Sequence, residues 1–177
     1  MLGVYASNPA FKGVVPILQD DGPHPLAQIA YSDHYSEAMS YLRALMVGEG
    51  EMSERALALT GDIIAMNPAH YTVWYASYCI SGFDSRAYRA RILFALNEDL
   101  NDELSFIEDI AEENQKNYQI YHHRQRIVEE MAKRGIANFT RELEFSKQLL
   151  ELDQKNYHVW SYRFLCSFCS LMQAMVD

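Results

Sequence analysis

The sequence predicts an all-α fold of tandem helical hairpins, and three observations carry that reading. The segment Lys116-Asn117-Tyr118-Gln119-Ile120-Tyr121-His122-His123-Arg124 returns thirty-nine residues later as Lys155-Asn156-Tyr157-His158-Val159-Trp160-Ser161-Tyr162-Arg163, and a fainter copy lies at Asn67-Pro68-Ala69-His70-Tyr71-Thr72-Val73-Trp74. Between the copies, apolar residues recur at helical spacing. Cap and breaker residues, among them Gly48-Glu49-Gly50, Asn67-Pro68 and Gly135, punctuate the segments. A unit of this period cannot bury its apolar face alone and must stack on neighbours, so function is sought on a face that several units share.

Each element follows from its pattern. His34 to Val47 places Tyr35, Ala38, Met39, Leu42 and Leu45 at helical spacing and ends at the Gly48-Glu49-Gly50 break. Ser53 to Met66 follows, and Asn67-Pro68 closes it before the Tyr71 motif opens the next helix. The second hairpin pairs Asn101 to Glu113 with a helix opened by Asn117 and capped at Gly135; the third repeats the plan from Thr140 to Leu152 and on from Asn156. A tetratricopeptide array is the natural rival, but its period is about 34 residues and its Trp, Leu-Gly and Tyr pattern is absent.

Six positions separate Tyr118 from Arg124 and Tyr157 from Arg163. In the first unit the nearest equivalent arginine is Arg89, twelve positions later than that rule allows, so 75–86 reads as an insertion that splits the first aromatic helix or loops out of it. The chain divides on this reading into a lead-in, 1–31, hairpin repeats, 32–163, and a divergent tail, 164–177. The tail's apolar positions suit a short amphipathic helix capping the open face. Both the insertion and the tail read as foreign to the ancestral array, and an array without a polar terminal repeat is expected to be sticky.

Composition narrows the partners. At 177 residues and 49% hydrophobic the chain is long enough to bury a core as one domain. A formal charge of −9 repels phosphate backbones and anionic lipid, so neither nucleic acid nor membrane insertion is expected. No basic leader with a long apolar stretch opens the sequence and no uncharged run approaches the ~20 residues of a membrane span, which predicts a cytoplasmic protein. Cys79, Cys166 and Cys169 are too few for a disulfide framework, and the Cys166-x-x-Cys169 pair lacks the second pair or histidine cluster a zinc site needs. His122 and His123 are adjacent and point to different helix faces, so they cannot chelate together. The acidic run from Asn97 to Leu104 reads as a solvated turn at a helix start.

The chemistry-bearing motif is Lys-Asn-Tyr at a helix opening. Asn as N-cap accepts from the first free backbone N–H groups, and the remaining donors leave that end electropositive. Lys116 and Lys155 add a full charge just before the caps, and Tyr118 and Tyr157 add phenolic donors; two such ends on stacked hairpins make a donor cluster suited to phosphate. The same residues also suit packing: Asn as a mere cap, aromatics between repeats, Arg tying hairpins through carbonyls.

The tandem Asn-x-x-x-Tyr-x-x-Trp and Asn-Tyr-x-x-Trp-x-x-Arg patterns resemble the alpha subunit repeat of the protein prenyltransferases, with Tyr121 standing where a Trp is usual. Val15 to Pro25, Ile29 to Asp33 and Met52 to Ala56 resemble the lead-in and first full repeat of the subunit shared by protein farnesyltransferase and type I geranylgeranyltransferase. The resemblance implies a right-handed alpha-alpha superhelix around a beta subunit, and transfer of a farnesyl or geranylgeranyl group from its diphosphate to the cysteine of a C-terminal CaaX sequence. By residue, it implies that Lys116 reaches the diphosphate with Tyr118 beside it, that Gln119 binds the peptide carboxylate, that Tyr71 lines the pocket for the last peptide side chain, and that Tyr157 and His158 lie near the diphosphate and the interface. No cofactor is expected on this chain: zinc belongs to the beta subunit, and magnesium can accompany the diphosphate. The subunit is expected to be inactive alone. The alternatives are a non-catalytic helical scaffold and the alpha subunit of the Rab geranylgeranyl enzyme.

Overall fold

In the computed structural model the described residues are 3–25, 27, 29–74 and 87–175. Among them the chain is helical, with no strand. It divides into two compact units, 1–97 and 98–177. The all-α hairpin architecture expected from the repeat is the one observed.

In the first unit α1 (Asp33–Leu45) and α2 (Glu54–Met66) form a hairpin. Ser32 and Ser53 cap them, each hydroxyl accepting from the backbone N–H three residues on. The turn between them passes through Gly48 and Gly50 at positive φ, and at Gly50 a Cβ would meet the Tyr88 ring at 2.8 Å. The lead-in lies against this hairpin: Tyr5 and Phe11 are buried beside Tyr41, and Arg43 and Arg55 donate to the carbonyls of Ile17 and Ala10.

The first aromatic helix is represented by two pieces, α3 (Tyr71–Trp74) and α4 (Tyr88–Leu96), both packed on α2. The proposed insertion, 75–86, lies outside the described residues. The arginine contacts of the described residues differ in sequence separation. Arg89 Nη1 donates to the Leu57 carbonyl 32 residues back, whereas Arg124 Nη1 donates to Leu104 and Arg163 Nη1 to Leu143, each 20 residues back. The same contact is made with twelve more residues in between. Helix α4 was not foreseen as an element of its own because it begins without a start signal: Ala87 enters it at φ 75, ψ 57 with no side-chain cap.

The second unit holds α5 (Leu100–Glu113), α6 (Tyr118–Lys133), α7 (Phe139–Leu152) and α8 (Tyr157–Ala174), paired as α5 with α6 and α7 with α8, with α8 also packed on α6. Gly135, at φ 71, ends α6 as expected. Helix α8 continues unbroken through Phe164; Val159, Tyr162 and Cys166 face inward while Phe164, Phe168 and Leu171 are exposed.

Arg124 is the centre of this unit. Its side chain is 0% exposed. Nε and Nη2 bind Glu142 at 2.6 and 3.0 Å, Nη1 binds the Leu104 carbonyl at 3.0 Å, and Nη2 also reaches Glu108 at 2.8 Å. The guanidinium carbon sits 3.8 Å from the Phe145 ring centroid, and the Tyr162 hydroxyl donates to Glu142. Burial alone would pull the guanidinium pKa down; the carboxylates of Glu142 and Glu108 outweigh it and hold the group above its ordinary value. One side chain on α6 thus joins α5 and α7 directly, and α8 is tied to it through Glu142. The acidic run needs a correction here: Glu103 is not solvated but buried, 2.7 Å from His123 Nε2. The turn is polar as a whole, yet the helical period turns this one carboxylate inward.

Removing one partner of a buried ion pair leaves the other uncompensated, so Arg124→Ala should lower the unfolding free energy by about 3–5 kcal/mol in urea denaturation; a loss under about 1 kcal/mol would contradict the role. At Glu108, desolvation pushes the pKa up, but hydrogen bonds from Arg124 and Arg141 outweigh it and hold the carboxyl below its usual value. A depressed folded pKa stabilises above the unfolded value of about 4.5 and is lost as pH falls through the folded value, so Glu108→Gln should flatten the acid limb of the stability profile below about pH 5.

Candidate functional site

The helix openings form as their sequence predicts. Asn117 sits in extended geometry and its Oδ1 accepts from the Gln119 N–H at 3.1 Å. Asn156 Oδ1 accepts from the N–H groups of His158 at 3.0 Å and Val159 at 3.4 Å. Both lysines that precede the caps are exposed. Free N–H groups at each opening and the adjacent ammonium groups favour an anion.

Of the six predicted site residues, three come together. Tyr118, 54% exposed, and Tyr157, 71% exposed, flank the half-buried imidazole of His158, with ring centroids 6.1 and 4.9 Å from it. Lys116 lies in the loop that leads into Tyr118. Gln119 is turned inward and is 3% exposed. Tyr71 opens α3 in the first unit at 46% exposure. A cavity of about 470 Å³ in that unit, lined by Gln19, Tyr31, Tyr35, Arg43 and His70, contains none of the six. The candidate residues of the second unit lie on an open face.

Sequence reasoning missed a set of hydrogen bonds at the three aromatic helix openings, each within its own unit. Trp74 Nε1 donates to the Pro68 carbonyl, the Tyr121 hydroxyl to the Gln115 carbonyl and Trp160 Nε1 to the Gln154 carbonyl, at 2.8, 2.7 and 2.8 Å, each six residues back. The shared spacing of Trp, Tyr and Trp was the available signal, and it explains why tyrosine substitutes at 121: both rings end in a donor. His158 also lies parallel to Tyr121, 6.3 Å between centroids. Asn156 Nδ2 donates to the Gln115 carbonyl at 2.8 Å, so that oxygen accepts from two side chains.

Among the described residues no group of three or more His, Cys, Asp or Glu side chains could hold a metal ion. Burial pushes the Cys166 thiol up to about 12, so in the folded chain it is a protonated, poorly nucleophilic thiol at neutral pH. Among the described residues no helix is long and apolar enough to cross a membrane.

Tandem αα-hairpins whose second helices open on an asparagine cap followed by a tyrosine define a helical-repeat protein. The chain belongs to the protein prenyltransferase alpha subunit repeat family, whose model matches residues 53–78, 100–131 and 139–169. It is 49% identical over 115 residues to the protein farnesyltransferase/geranylgeranyltransferase type-1 subunit alpha of Schizosaccharomyces pombe, covering 65% of this chain and 35% of that protein. It is 44% identical over 112 residues to the subunit of the same name from Solanum lycopersicum, covering 63% of this chain and 29% of that one. Among solved structures, Candida albicans protein geranylgeranyltransferase-I complexed with GGPP matches 89% of this chain and 49% of its own at a TM-score of 0.73 and 36% identity. That match carries the alpha-alpha superhelix fold class. The chain spans about a third of the length of the curated relatives it matches.

Cys166 should resist thiol reagents at neutral pH in the folded chain and become reactive in urea, with half-buried Cys169 modified first; equal native rates for the two, read by mass spectrometry, would contradict its burial.

Proposed function

We propose that this chain provides alpha-subunit hairpins of a heterodimeric protein prenyltransferase, which moves a farnesyl or geranylgeranyl group from its diphosphate to the cysteine of a CaaX protein. The observation that carries the reading is the opening of α6, where exposed Lys116, the Asn117 cap and exposed Tyr118 adjoin His158 and Tyr157 on one face. Relatives named as farnesyltransferase/geranylgeranyltransferase type-1 alpha subunits favour this branch over the Rab enzyme.

When the allylic carbon–oxygen bond breaks, negative charge grows on the departing diphosphate. A fixed ammonium and phenol aimed at that charge stabilise the transition state more than the ground state. Lys116 supplies the charge in this reading, Tyr118 a hydrogen bond, and Tyr157 and His158 complete the rim towards the partner subunit. Tyr71 would line the pocket for the last peptide side chain. Gln119 would meet the peptide carboxylate, a contact that requires its narrow exposed edge to border a pocket completed by the partner. Zinc held by the beta subunit would keep the substrate cysteine as a thiolate. The open face fits a site that one chain does not enclose by itself.

In a heterodimer co-expressed with a beta subunit, Lys116→Ala should lower the prenyl transfer rate by about ten- to a thousandfold, the range for losing one charge-stabilising donor. A rate within twofold of the parent would dismiss the assignment.

A further inference from the structure

We infer that Tyr121 and Asn156 are positioning residues for the diphosphate end of this site, acting through a shared acceptor, the carbonyl of Gln115. The inference rests on the reading that Lys116 faces the diphosphate.

The carbonyl belongs to the peptide bond that joins Gln115 to Lys116. Because that unit is planar, holding its oxygen from two directions fixes the plane from which the Lys116 backbone departs. The Tyr121 hydroxyl holds it from within the same hairpin at 2.7 Å, and Asn156 Nδ2 holds it from the opening of α8 at 2.8 Å. Asn156 spends its other amide atom on the cap of α8, accepting from His158 and Val159. A single amide therefore ties the loop carrying Lys116, just before α6, to the start of α8, where Tyr157 and His158 lie. Ring contacts between the same two openings, Tyr118 and Tyr121 with His158, add looser ties.

Tyrosine at 121 adds something an indole cannot. A phenol donates one hydrogen bond and still accepts others, whereas an indole N–H only donates. Burial pushes the Tyr121 phenol up to about 12, so the group remains a protonated donor throughout the neutral range. The Tyr121 hydroxyl and the Asn156 amide thus share one acceptor, the Gln115 carbonyl. In the other hairpins Trp74 and Trp160 make the corresponding bond six residues back.

The test uses the purified heterodimer with a beta subunit and separates turnover from binding. Tyr121→Phe removes only the hydroxyl. Asn156→Ser keeps a capping oxygen for α8 but is too short to reach the Gln115 carbonyl. Each should lower kcat by about tenfold, because a displacement near 1 Å of a catalytic group has effects of up to about a hundredfold, while the KM for the peptide and the melting temperature of the heterodimer stay near those of the parent. In a Lys116→Ala background neither change should lower kcat further. Tyr121→Trp, which keeps a donor at the same spacing, should recover part of the rate lost in Tyr121→Phe. If Lys116→Ala is slow but Tyr121→Phe and Asn156→Ser turn over at the parent rate, or if their effects simply multiply with that of Lys116→Ala, the positioning role is overturned and the site stands. If Lys116→Ala itself turns over within twofold of the parent, the site reading fails and this inference falls with it.

Discussion

An arginine on the second helix of a hairpin bonds a main-chain carbonyl on the first, and this contact sets the register of all three hairpins. Arg89, Arg124 and Arg163 each present Nη1 to a leucine carbonyl, those of Leu57, Leu104 and Leu143. Those oxygens lie inside helices, where a carbonyl retains a second lone pair, and a guanidinium has enough donors to use it while bonding other partners. In the first and third hairpins a hydroxyl completes the arrangement: Thr60 and Ser146 each donate to the same leucine carbonyl and accept from the arginine. In the second hairpin Ile107 occupies that position, and the spare donors of Arg124 turn to Glu142 and Glu108 instead. The buried charge is therefore paired where the hydroxyl is missing, which keeps the guanidinium from being stranded in a low-dielectric interior.

Once helices are held in register, their openings are held as well. The cap residues Asn117 and Asn156 start α6 and α8 at corresponding points of successive hairpins, and the residues on either side of each cap emerge on one face. Structure and chemistry are linked at the same side chains. The amide of Asn156 both starts a helix and ties down the loop of the preceding one. Exposed aromatic rings, Tyr118 and Tyr157, surround this polar centre rather than a closed cavity.

Much of the fold was legible because repetition supplies its own alignment. The boundaries of α2, α5, α6 and α7 follow from Ser53, Asn117, Gly135 and the apolar spacing, and the structure agrees within a residue or two. The displaced register at Arg89 was legible by the same logic. Helix α4 was not, since a left-handed Ala87 carries no sequence signal. Direction was the main thing hidden. Composition made the run around Glu103 look solvated, yet one helical turn places that carboxylate against His123. Gln119 follows the cap just as Tyr118 does, yet one residue of helical rotation turns it from the open face to the interior. Tyr118 and Tyr157 were readable together because the repeat already placed them at corresponding openings, and His158 entered only through the resemblance. Their assignment to a diphosphate came from resemblance, since aromatic residues at helix starts serve packing equally well.

The central claim is that the opening of α6 receives the diphosphate of an isoprenoid donor. A structure of the chain bound to a beta subunit and an unreactive isoprenoid diphosphate analogue tests this directly. The account predicts the Lys116 ammonium within about 3 Å of a diphosphate oxygen, with the Tyr118 hydroxyl on the same group. A diphosphate bound entirely by the partner, with Lys116 turned to solvent, would contradict it.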